Sequence, residues 1–142
     1  MTRLGDDEWV EVMGGATYTF RGGFTFMAEG LYNGRGLSDP DDYTLWHWFA
    51  YLEQSIRYMG TGYGALILQL PVSRIHTTFS LTGFGNISDR SAVLNPWISY
   101  DWNQYLAISL YGAFGVAAKD TRDVAEMAAT GNAAYLRARL SF

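Results

Sequence analysis

The chain has 142 residues, 10 Lys+Arg against 14 Asp+Glu, a formal net charge of -4 and no cysteine. These figures exclude a disulfide scaffold, a thiolate metal site and a cysteine nucleophile, and with Lys119 the one lysine they exclude the basic stripe that nucleic acid requires. Hydrophobic residues at 49% and aromatics at 16% exclude a disordered polymer, whereas a mean hydropathy of -0.05 averages over opposite faces and leaves strands that cross a bilayer open.

Met1 to Glu8 lacks the apolar run of roughly 7–15 residues that a secretory signal needs, so no signal peptide is expected there. The longest apolar stretch, Ala65 to Leu70 interrupted by Gln69, is far short of the ~20 residues of a spanning helix. From there period-two alternation dominates, in segments of about ten residues separated by turns. Val10, Val12, Gly14, Ala16, Tyr18 and Phe20 share one face, with Glu11, Met13, Thr17 and Thr19 opposite. After the turn Arg21-Gly22-Gly23, Phe24, Phe26, Ala28, Gly30 and Tyr32 continue the apolar face, and Thr25, Met27, Glu29 and Asn33 the polar one.

A long connection follows, from Gly34 through Asp39-Pro40-Asp41-Asp42 to Gly62. Leu45, Trp48, Phe49, Leu52, Ile56 and Met59 recur at helical spacing, which predicts a helix over 43–59 with Asp42 as its cap, a Glu53–Arg57 pair along it and Gly60 at its end. Trp46, Trp48, Ala50, Leu52, Ile56 and Tyr58 also share one parity, so an eighth strand is the competing reading. Tyr63 to Leu70 and Ile75 to Asn86 then form a hairpin around Pro71 to Arg74, with Ile75, Thr77, Phe79, Leu81 and Gly83 facing away from His76, Thr78, Ser80, Thr82 and Asn86. Ala92 to Tyr100 and Leu106 to Phe114 flank Asp101-Trp102-Asn103. The segment from Gly115 to Asn132, carrying Lys119, Asp120, Arg122, Asp123 and Glu126, reads as a solvated loop with at most one helical turn at Val124 to Ala129. The last strand alternates Ala134, Leu136, Ala138, Leu140 and Phe142 with Tyr135, Arg137, Arg139 and Ser141.

The expected fold is therefore all-β, an antiparallel up-and-down meander of about seven strands, eight in the competing reading, with a short helix in one long loop. The turns after strands one, three and five are very short and those after two, four and six, Gly34 to Gly62, Asn86 to Ser91 and Gly115 to Asn132, are longer, so the two kinds fall on opposite ends, as in transmembrane β-barrels. Phe20, Phe24, Tyr100 and Phe142 gather near the short-turn end of the apolar face, where an aromatic girdle would lie. Glu11, Glu29, His76, Arg137 and Arg139 fall on the polar face as pore-lining candidates. A lipocalin-like or sandwich fold, with the apolar face as its core, is the alternative.

The terminal Tyr135-Leu136-Arg137-Ala138-Arg139-Leu140-Ser141-Phe142 resembles the closing strand of Gram-negative outer-membrane β-barrels. Ala28 to Gly36, Tyr63 to Pro71, Gly85 to Ser91 and Asn95 to Tyr100 look like late strands of porin-like or alginate-export-like barrels. The resemblance implies residence in the bacterial outer membrane, contact with its lipid and with the barrel-assembly machinery, and Leu136, Leu140 and Phe142 as the assembly signal. It implies passive passage of small solutes, with homo-oligomers compatible and no cofactor. A strand count of seven makes 1–142 one barrel segment, the C-terminal part of a larger barrel, with Met1 to Asp7 in an external loop. The alternatives are a non-conducting barrel used as export conduit or anchor, and a soluble β-barrel holding an apolar ligand.

Enzymatic chemistry finds little support in the residues. His76 shares parity with Thr78 and Ser80, but not the order or context of a strand-borne His/Ser pair, and His47 near Asp41 and Asp42 is a poor match to an aspartyl protease. Gly60-Thr61-Gly62-Tyr63-Gly64-Ala65 fits a loose dinucleotide pattern yet leads into a strand. Asp39, Asp41 and Asp42 lack ordered calcium-ligand spacing and suit a turn and helix cap better.

Overall fold

A computed structural model of the chain describes residues 10–53, 57–118, 125–127 and 131–141. Seven strands, β1 (Glu11–Thr19), β2 (Thr25–Asn33), β3 (Gly62–Val72), β4 (Thr77–Asn86), β5 (Ser91–Asp101), β6 (Leu106–Ala117) and β7 (Asn132–Leu140), form one sheet in chain order. Every neighbouring pair is antiparallel. Among the described residues no pairing joins β1 to β7, and both strands are exposed along their whole length.

The register follows from the turns. Gly23 adopts a left-handed φ of 84°, which closes β1 onto β2 with Phe20 N–H donating to Phe24 O at 2.8 Å. That hairpin pairs Thr19 with Thr25 and carries the alternation unbroken to Glu11 and Asn33. Across the sheet, paired residues share a face, so Thr25–Gln69–Ser80–Trp97–Tyr111–Tyr135 is one transverse row of the polar face and Phe26–Leu68–Leu81 lies on the apolar face.

The two faces have opposite fates. Tyr63, Asn86, Ser91 and Ser109, the buried residues on β3 to β6, all lie on the polar face. Leu66, Leu70, Phe79, Leu94, Ile98, Leu110, Phe114 and Leu136, all on the apolar face, are exposed. The long connections thus pack against the polar side, and the apolar side is left as an exposed outer surface.

Among its described residues the long connection holds a helix, α1 (Leu45–Leu52), and no eighth strand. It is shorter than 43–59: Glu53 caps its end, Ile56 lies outside the described residues, and Met59 and Gly60 belong to the return, where Gly60 bridges Leu37. Asp42 does not cap it. Asp39 caps a separate 3-10 turn, Pro40–Asp42, by accepting from Asp41 N–H at 3.0 Å, and Thr44 opens α1 with its hydroxyl 2.8 Å from His47 Nδ1. With Arg57 beyond the helix, the expected Glu53–Arg57 spacing on one helical face is lost. No residue of α1 is buried, and Leu45, Trp46, Phe49 and Leu52 are exposed. No helix among the described residues is long and apolar enough to cross a membrane.

Two further expectations change. The β4–β5 connection, 87–90, is as short as 73–76 and 102–105, so only 34–61 and 118–131 make one end elaborate. The 118–131 segment is not simply solvated: Ala125, Glu126 and Met127 are buried. Among the described residues Ala125 and Met127 make the apolar core together with Tyr43, Met59 and Tyr63, against the polar face at the end of the sheet that carries the long connections, and Glu126 is buried beside them.

Candidate functional site

The polar, concave face is the candidate site, and it has two differently built ends. At the long-connection end a buried polar cluster joins the two elaborate connections to the strands. Tyr63 OH donates to Glu126 Oε2 at 2.6 Å and accepts from Gly60 N–H at 2.6 Å. Asn86 Nδ2 lies 2.9 Å from Glu126 Oε2, 3.1 Å from Tyr43 OH and 3.2 Å from Tyr63 OH. Asp89, fully buried, accepts from Glu126 N–H at 2.7 Å and from Ser91 N–H at 3.0 Å, and Ser91 Oγ in turn accepts from Met127 N–H at 3.1 Å. Asn33 at the end of β2 donates to the Gly60 carbonyl at 3.1 Å. Tyr58, Tyr63 and Phe84 stack beneath, with Tyr63 and Phe84 centroids 5.6 Å apart and near-parallel.

Burial sets the electrostatics of this cluster. Glu126 is 2% exposed, and desolvation raises its pKa above the ordinary carboxylate value against the pull of the Tyr63 and Asn86 hydrogen bonds. Among the described residues its buried Oε1 has no hydrogen-bond partner. Burial likewise pushes Tyr43 up to about 12, and raises Tyr51 with help from the Glu126 charge. The cluster is therefore one in which burial opposes ionisation of Glu126 while the hydrogen bonds from Tyr63 and Asn86 offset part of that cost.

At the short-turn end the same face is open. A cleft of about 630 Å³ runs from Pro71 and His76 past Asp101 to Arg139 and Ser141. Its floor is pinned by His76 O accepting from Asp101 N–H at 2.9 Å, by Asn103 Oδ1 capping Tyr105 and Leu106, and by Tyr105 O accepting from Ser141 N–H at 2.9 Å. Between the two ends Trp97, Tyr111 and Tyr135 stack in one row across β5, β6 and β7, at 5.8 and 4.9 Å.

All five pore-lining candidates lie on this concave side, but they do not form one ring. His76 and Arg139 line the same cleft. His76 is not on the strand as expected: β4 starts at Thr77, and His76 ends a 3-10 turn, Ser73–Ile75, with a left-handed φ of 49°. Arg137 is one row above Arg139, paired with Ser109. Glu29 lies toward the long-connection end, on β2 between Gly15 and Ala65. A Cβ on Gly15 would meet Glu29 Cγ at 2.6 Å and the Ala28 carbonyl oxygen at 2.7 Å, so this glycine leaves room for the backbone of β2 as well as for the Glu29 side chain. Glu11 pairs with Asn33 beside the long connections. Sequence reasoning missed Tyr63, Asn86, Asp89 and Glu126; the one available signal was that Asn86 and Tyr63 sit opposite each other at strand ends beside the long connections.

On the outer surface Phe20, Phe24 and Tyr100 lie at the short-turn end, joined by Tyr18 and Trp102 through ring contacts of 4.7 to 6.0 Å. Leu136 and Leu140 of the expected assembly signal are exposed on the same face, and Phe142 lies outside the described residues, as do Met1 to Asp7. No family model matches the chain, and no curated protein or solved structure matches it.

Proposed function

We propose that the chain is wall of an outer-membrane β-barrel, its apolar face in lipid and its polar face lining a water-filled path for small polar solutes. The observation that carries this reading is the inversion of the sheet. Large apolar side chains are exposed on all seven strands, while the buried residues of the central strands lie on the polar face. A water-soluble sheet does the reverse, because an exposed apolar surface of this extent is unstable in water. Strands that satisfy their backbone groups laterally and alternate apolar-out with polar-in are the arrangement that a bilayer tolerates. The inversion weighs against a soluble barrel with an apolar ligand inside, since the face that would hold such a ligand is the outer one.

Selectivity would come from Arg137 and Arg139 on β7 and the acids Glu11 and Glu29 on β1 and β2, with contact to bilayer lipid on the outside and the barrel-assembly machinery acting on the last strand. The plugged long-connection end supports a second reading, a barrel that is closed at rest and serves as export conduit or anchor. Conductance of the protein in planar bilayers decides between them. A pore gives discrete steps with an ion preference. A silent bilayer with correctly inserted protein removes the pore reading and leaves the anchor. Monodisperse behaviour in buffer without detergent would remove both.

A further inference from the structure

The short-turn end carries a more specific arrangement than a generic charged lining. Asp101 on β5, Ala107 on β6 and Arg139 on β7 are register partners in one transverse row of the concave face. Adjacent strands are ~4.8 Å apart, so an acid and a base are held ~9.6 Å apart at the backbone with only a methyl group between them. All three line the same cleft of about 630 Å³. Among the described residues neither Asp101 nor Arg139 makes an ion pair, although each has an exposed side chain. The strand ends that bear them are fixed: Asp101 N–H is held by the His76 carbonyl, and the chain after Arg139 is held by Ser141 N–H on the Tyr105 carbonyl. Thr78, on the same side of the cleft as His76, adds a hydroxyl.

We infer that this notch binds small zwitterionic solutes of amino-acid size, the ammonium group against the Asp101 carboxylate and the carboxylate against the Arg139 guanidinium, over Ala107. An anion alone meets the Asp101 charge and a cation alone meets Arg139, so each forfeits one favourable contact and gains one repulsion. A residue larger than alanine at 107 would fill the gap between the two charges. The site rests on the reading of the concave face as a solvated path, because a solute must reach it.

Binding is measured on the folded protein in detergent by isothermal titration calorimetry. Alanine is titrated beside N-acetylalanine, an anion, and alaninamide, a cation. Alanine saturates, and the other two bind at least fivefold more weakly. Asp101→Asn and Arg139→Gln each weaken alanine at least fivefold, Ala107→Leu does the same, and the exchanged pair Asp101→Arg with Arg139→Asp restores binding. Equal affinity for N-acetylalanine, or unchanged alanine affinity in the single variants, overturns the proposal. Because binding is read without a bilayer, the outcomes separate: saturable binding without conductance removes the pore alone, and conductance without saturable binding removes the notch alone.

Discussion

The two ends of the concave face share one sheet, one alternation and similar residue types, and yet they are built in opposite ways. At the long-connection end Asn86, Asp89 and Glu126 are buried and satisfy the connections and one another. At the short-turn end Asp101, His76 and Arg139 line an open cleft. The difference lies in the connections, not in the strands. A connection long enough to fold back brings its own donors and acceptors, and burial then favours neutral partners. A tight turn cannot reach over the face and leaves its charges to water. The first end should therefore carry stability and the second selectivity.

Breaking the buried cluster has the largest expected effect. Asn86→Leu removes the donor shared by Glu126, Tyr43 and Tyr63, and should cost about 3 kcal/mol by urea unfolding in lipid. A change below about 0.5 kcal/mol would mean that the connections are not held by this cluster. Tyr63→Phe leaves Gly60 N–H unpaired and Glu126 with one fewer donor, for a loss of about 1–2 kcal/mol and faster protease cleavage of the connections.

A pH dependence sharpens the contrast. The folded pKa of Glu126 is raised, so its proton-linked stability is complete below the ordinary carboxylate range and is lost as pH rises through the folded value. Cleavage within the connections should be several times slower at pH 5 than at pH 8, after correction for protease activity. Glu126→Gln should abolish that difference, and a dependence that persists in this variant assigns it elsewhere. The smallest stability effect belongs to the open end. Arg137→Glu with Arg139→Glu should change unfolding by no more than about 0.5 kcal/mol while shifting ion preference toward cations. A loss as large as that of Asn86→Leu would erase the distinction between the ends.

The strands and the assignment of residues to faces were legible in the sequence, because period two is a local property: Val12 and Glu11 are sorted by neighbours alone. Glu11, Glu29, Arg137 and Arg139 were sorted to the polar face for the same reason. His76 escaped because the 3-10 turn absorbs a residue that parity alone would place on the strand. Glu126 escaped for a different reason. Its segment is rich in charge and reads as solvated, while the partners that bury it, Tyr63 and Asn86, lie 63 and 40 residues away in the chain. The helix was legible as apolar spacing from Leu45 to Leu52, but its end was not, since Met59 and Gly60 are recruited by the return to β3.

The central claim is that the apolar face meets lipid and the polar face meets water, and adjacent residues of the central strand β4 test it most directly. The chain has no cysteine, so Phe79→Cys and Ser80→Cys each give one labelling site, on the apolar and the polar face respectively. With a fluorophore at each site in reconstituted bilayers, lipid-borne quencher should dim the label at 79 and aqueous iodide the label at 80. The opposite pattern, or iodide reaching both equally, would contradict the account.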